Sequence, residues 1–161
     1  MMYLALQFIL ALFATCGFSI IFQVPLRHIP PVAIVGGLGW VCYQITIYYD
    51  SSPVIACFIA ACLVGFLSDI CSRIFKEAST IFTIPGILCL VPGAGMFYTM
   101  KAFLDHDTSD LTNTATETLL MAGAIAAGLL VIGSLIKIIR SIIRKTVAKT
   151  KDITRDITSK F

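Results

Sequence analysis

Apolar residues run along this chain in five long stretches, about Tyr3–Val24, Val32–Tyr49, Pro53–Cys71, Ile81–Leu104 and Thr118–Ile139, with short polar punctuation between them. Each is close to the roughly 20 apolar residues that a helix needs to cross a bilayer. The pattern predicts an all-α integral membrane protein, a five-span helical bundle. Backbone groups in hydrocarbon must be satisfied within the segment, so a helix is the default for each stretch. After the fifth, Ile139, Ile143, Val147, Ile153, Ile157 and Phe161 recur mostly at four-residue steps with basic residues between them. That rhythm predicts a C-terminal basic amphipathic helix, lying on anionic lipid headgroups or extending the fifth span. The chain thus divides into a transmembrane domain, 1–139, and a basic tail, 140–161.

Composition agrees: 13% of residues are charged, against roughly a quarter in soluble domains, and mean hydropathy is +0.93. The distribution of charge adds topology. With five spans, the first loop, the third loop and the tail share one side, and eleven of the twelve Lys and Arg residues fall there, Lys101 being the exception. Positive residues stay in the cytoplasm. The amino terminus is therefore expected outside and the carboxy terminus in the cytoplasm, in the cell (inner) membrane. The first stretch lacks a basic leader and a small-residue cleavage pattern, so it reads as a retained helix and not a signal peptide.

The fourth stretch is unusual. It contains Pro85-Gly86 and Pro92-Gly93, seven residues apart, followed by Gly95, Tyr98 and Thr99. Proline in a helix interior removes a hydrogen bond and costs about 3 kcal/mol. Broken backbone at membrane depth survives where it is buried in protein or lines a wet cavity. Transporters use such breaks to present helix ends to solutes. The fourth span is accordingly expected to break at both Pro-Gly pairs, with Pro85, Gly86, Pro92, Gly93, Tyr98 and Thr99 as candidate substrate-binding residues. A proline kink packed against a neighbour is the plainer alternative.

Ionisable groups within the spans are few. Asp69 stands near the end of the third, and Arg73, four residues on, can pair with it across one helical turn. The two are candidates for a structural ion pair or for proton coupling, since intramembrane carboxylates often serve function. Gln23, Arg27 and His28 bracket Pro25 and could form a cytoplasmic entry for an anionic substrate, although Arg27 also suffices as a topology signal. Small-residue pairs, Ala56/Ala60, Ala61/Gly65, Gly123/Ala127 and Ala124/Gly128, offer close helix contacts.

Other chemistry is not indicated. The six cysteines form no CxxC pair and read as soft core residues, not metal ligands. The two histidines, His28 and His106, are expected on opposite sides of the membrane. There is no P-loop and no HExxH. No enzyme activity, cofactor, metal or nucleic-acid partner is expected.

The segments GFSIIFQVPLRHIPPVAIVGGLGW and IPGILCLVPGAGMFYTM resemble the threonine/serine exporter (ThrE) family, and within it the small membrane subunit of the split type. The resemblance covers most of residues 10 to 140. Its most specific element is the doubled Pro-Gly motif, on Pro85, Gly86, Pro92 and Gly93, followed by an aromatic and a small polar residue. The turn Phe22-x-Val24-Pro25-x-Arg27 is second. The resemblance implies export of small polar metabolites, threonine and serine or a dicarboxylate such as succinate. It also implies a larger partner subunit with a cytoplasmic domain. Two oppositely inserted halves would make an inverted-repeat transporter. A membrane scaffold without transport activity is the alternative, and self-association of the chain stays open.

Overall fold

The computed structural model describes residues 2–49, 52–105 and 108–158, with side chains at 3–49, 52–105 and 110–142. Its elements are α1 (Met2–Ile21), a 3₁₀ turn (Leu26–His28), α2 (Ile29–Tyr48), α3 (Pro53–Phe75), α4 (Ser79–Leu88), α5 (Gly93–Leu104) and α6 (Thr108–Thr158). The described residues contain helices and turns only. Asp50, His106, Asp107 and the side chains of the basic tail from Ile143 to Phe161 lie outside the described residues.

Local chemistry sets the boundaries. α1 stops because Gln23 adopts the left-handed conformation, φ 54°. The Val24 amide then bonds to the Ser19 carbonyl at 2.9 Å and the Gln23 amide to Ile20 at 3.0 Å, the paired bonds of a Schellman cap. Lys76 ends α3 in the same way, with φ 57° and the Glu77 amide reaching the Ser72 carbonyl at 3.2 Å. α2 carries Pro30 and Pro31 in its first turn, where a missing N–H costs nothing. Ser52 caps α3, its hydroxyl accepting from the Ile55 amide at 3.4 Å, with Pro53 next.

Four helices are long and apolar enough to cross a membrane, and five if the bent pair α4–α5 makes one crossing. The register of α3 against α6 settles that count. Gly128 lies over Ala61 and the Phe58 carbonyl, Gly65 receives Ile132 and Leu129, and Asp69 meets Arg140. Both chains advance in the same direction, so α3 and α6 are parallel. The chain between them must return across the bundle, and α4–α5 is that return. α4–α5 is therefore a broken span, not a re-entrant loop.

The core follows from this arrangement. Val35 of α2, Cys57, Ala60, Ala61 and Val64 of α3, Ile125 of α6 and Leu90 from the α4–α5 junction form one buried cluster. A second, around Val24, Val32 and Phe82, closes the end where the first and third loops meet. At that end His28 Nε2 lies 3.8 Å from Glu77 Oε1. Loop one, loop three and the α6 turn bearing Arg140 thus share one end, as the charge pattern predicts. Large apolar residues cover the outside: Phe13, Ile20, Phe66, Leu119 and Leu130 are all exposed, which suits a lipid-facing surface.

One expectation is corrected. Pro85 does not break the fourth span; it sits inside α4, fully buried. α4 continues for only one turn past it, and the ring is packed in the core, so the helix tolerates one missing amide bond. The fifth apolar stretch, Thr118–Ile139, is only the middle of a 51-residue helix. The polar run from Thr108 to Glu117 contains no helix breaker, so the backbone is helical well outside the apolar part. The same helix runs unbroken past residue 140, so the tail continues the fifth span in backbone terms.

Candidate functional site at the broken span

The break is made at Cys89–Pro92. A residue before proline is biased away from the α region, which disfavours helix at Val91. α4 closes with tight turns, Leu90 N–H to Ile87 at 2.8 Å and Val91 N–H to Leu88 at 3.3 Å. Pro92 has φ −75° and ψ 64°, and the Gly93 amide bonds across it to Val91 at 2.7 Å. This is an inverse γ-turn, which proline's fixed φ favours. It also starts α5, and the two half-helices meet at 50°. Leu90 points inward and is 3% exposed, anchoring the junction to the core.

Polar groups gather beside the break. Thr15 and Ser19 of α1 are fully buried. Each hydroxyl donates to the carbonyl four residues back, at 2.8 Å to Ala11 and 2.7 Å to Thr15, a common way to carry a hydroxyl in an apolar helix. The Cys89 thiol and Thr15 Oγ1 share a hydrogen bond at 3.1 Å. One to two turns away Trp40 Nε1 donates to Gln7 Oε1 at 3.0 Å, and Gln7 Nε2 donates to the Tyr3 hydroxyl at 3.1 Å. Gln7, Trp40, Leu88 and Cys89 line a cavity of about 330 Å³.

The candidate residues read from sequence fall in several places. Pro85 and Gln23 share a cavity of about 220 Å³ with Thr80 and Ile84. Arg27 is exposed on the 3₁₀ turn and is not among that cavity's lining residues. Gly86 is buried in helix packing, its α-carbon facing Val35, Val64 and the Gly36 amide. Pro92 and Gly93 form the break, and Gly93 has open space beside it. Thr99 bonds to the Gly95 carbonyl at 2.8 Å and, with Thr118, borders a cavity of about 450 Å³ between α5 and α6. Tyr98 is exposed and borders a different cavity with Lys101, Asp105 and Asp110. Among the substrate candidates, Gln23 and Pro85 are the pair distant in sequence that one cavity brings together.

Asp69 accepts from Arg73 Nε at 2.7 Å and also from Arg140 of α6. The local pair is present, and Arg140 adds a partner from a distant helix. His28 is 3% exposed, set edge-on to Phe75 and Phe82, and its Nδ1 has no hydrogen-bond partner among the described residues. Sequence reasoning missed Thr15, Ser19, Trp40 and Cys89. A signal existed for α1: Tyr3, Gln7, Thr15, Ser19 and Gln23 repeat in multiples of four residues, which places them on one helical face.

The fold and the broken fourth crossing define a multi-pass α-helical membrane protein with polar groups gathered at an interrupted span. The family described as Threonine/Serine exporter, ThrE, matches residues 7–135. The chain belongs to the threonine/serine exporter family, a family of transporters and not of enzymes. An uncharacterized protein of Haemophilus influenzae is 27% identical over 143 residues, covering 84% of this chain and 48% of that protein. The chain spans about half the length of this curated relative. No solved structure matches it.

Proposed function

We propose that this chain is the membrane half of a secondary exporter of small polar metabolites. The favoured solutes are threonine and serine, with a dicarboxylate such as succinate as the competing class. The supporting observation is the fourth crossing: it traverses the bundle yet is interrupted at Pro92, beside Thr15, Cys89, Gln7 and Trp40. Half-helix ends at membrane depth are the device by which many transporters meet their solutes. A larger subunit with a cytoplasmic domain supplies the remainder, a division in keeping with a relative of about twice this chain's length. The basic end faces the cytoplasm, where the tail meets anionic lipid, and the amino terminus lies outside.

The test is efflux from cells lacking their own exporters. The cells are loaded with a threonine- or serine-containing dipeptide, and separately with succinate. They express this chain, a larger subunit encoded beside it, or both. Efflux that requires both proteins supports a two-part exporter and identifies the solute class. No efflux from any combination, with both proteins present in the membrane, refutes the reading and favours a scaffold.

A further inference from the structure

The polar face of α1 is more than helix packing requires. Thr15 and Ser19 are explained by close contact, since Gly36 of α2 lies directly against Thr15. Gln7, Trp40 and Cys89 are not explained that way. They are only half-buried and border open space. That cavity, about 330 Å³, has the capacity of roughly ten water molecules at ~30 Å³ each and lies at the lower end of the range for small-molecule sites. It sits against the α4 terminus at the break. The second cavity, between the segment Phe22–Pro25 that follows α1 and the Thr80–Pro85 part of α4, lies nearer the basic end. α1 and α4 touch sparsely, so the groove separates two helices that are not locked together.

We propose that the α1–α4 groove is the solute path, with Gln7, Trp40 and Cys89 forming a binding station at the break. The inference rests on the exporter reading above and assigns it residues. Neither cavity is lined by a charged side chain. A dianion there would stand in an apolar environment without a cation, which is strongly unfavourable. The station therefore suits a small zwitterion of zero net charge that bears a hydroxyl. Trp40 Nε1–H can donate to its carboxylate in place of Gln7 Oε1. Gln7 is then free to accept from the ammonium, and Cys89 meets the hydroxyl.

Cys89 provides a built-in reporter, and fully buried Cys57 a control for folding. The full chain, co-expressed with its larger subunit in membranes, is treated with a small neutral methanethiosulfonate, and each cysteine is followed by peptide mass spectrometry. L-Threonine is expected to slow modification of Cys89 several-fold, succinate to leave it unchanged, and Cys57 to stay unreactive. Equal Cys89 rates with and without threonine overturn the station. Trp40→Phe and Gln7→Leu are expected to raise the KM for threonine export about tenfold, as for loss of a hydrogen bond to a charged group. Trp40→Phe keeps the ring, and an unreactive Cys57 verifies its fold. Wild-type export that both variants leave unchanged overturns the groove while the exporter reading stands. Protection of Cys89 without export in any combination supports the station and overturns the exporter reading.

Discussion

Substituting Gly36 with alanine adds one methyl group at the tightest point between α1 and α2. The new Cβ would lie 2.3 Å from Thr15 Oγ1, 2.8 Å from Thr15 Cγ2 and 3.1 Å from Thr15 Cβ. Ordinary contacts between such atoms are about 3.5–4.0 Å, so more than 1 Å must be found. Thr15 cannot easily yield. It is fully buried, and turning its side chain would break its bonds to Ala11 and Cys89. Overpacking of this kind costs about 1–3 kcal/mol, and each hydrogen bond given up about 1 kcal/mol more. The better helix propensity of alanine returns up to ~1 kcal/mol. With both bonds given up, the net expectation is a loss of about 2–4 kcal/mol. Gly123 of α6 provides the control, because a Cβ there meets nothing within 4 Å. Gly123→Ala should be neutral or stabilising by up to ~1 kcal/mol. The assay is reversible unfolding in detergent micelles, with Thr15→Ala as a second-site change that removes the two closest atoms. A Gly36–Thr15 coupling energy of at least ~1 kcal/mol is expected from the double-mutant cycle. Gly36→Ala as stable as Gly123→Ala, or not rescued by Thr15→Ala, refutes the close-approach argument.

Two further predictions concern the basic end. Asp69 joins Arg73 and Arg140, whose side chains are 49% and 51% exposed, so each pair is worth about 0.5–1 kcal/mol after screening. Asp69→Arg should lower unfolding stability by more than that through repulsion, and Arg140→Asp in the same chain should recover most of it; an unrescued double variant argues against the α3–α6 ion pair. Lys76 holds a left-handed conformation that costs a side-chain-bearing residue about 1 kcal/mol. Lys76→Gly should therefore raise the unfolding midpoint, and a lowered midpoint would mean that the Lys76 side chain outweighs the backbone strain.

The five crossings were legible because hydrocarbon imposes a length and a composition that a single stretch of sequence displays. Their ends were less so. The apolar run through Val24 hid the cap at Gln23, since a left-handed glutamine carries no glycine-like signal. The run from Thr108 to Glu117 is polar but helix-compatible, so hydropathy marked the lipid-crossing part of α6 and not the helix. Pro85 and Pro92 look alike in sequence, yet only Pro92 follows a chain already closing in tight turns. Of the small-residue pairs, Gly65 and Gly128 do meet facing helices, whereas Gly123 faces open space. The Asp69–Arg73 pair was readable because it is local. Arg140, and the meeting of Cys89 with Thr15, depend on how distant helices are brought together, which no spacing rule encodes.

The parallel seam between α3 and α6 also bears on how the molecule is made. Spans enter a bilayer in chain order, and these two are separated by the whole of α4–α5. Until α6 arrives, the face of α3 that will receive Gly128 and Ile132 lacks that partner, and Asp69 lacks the Arg140 partner. α6 is thus the keystone of biogenesis: this bundle closes only once α6 has been made. A chain cut short before it would present quality-control proteases with an open groove and an acidic residue short of one of its two cations.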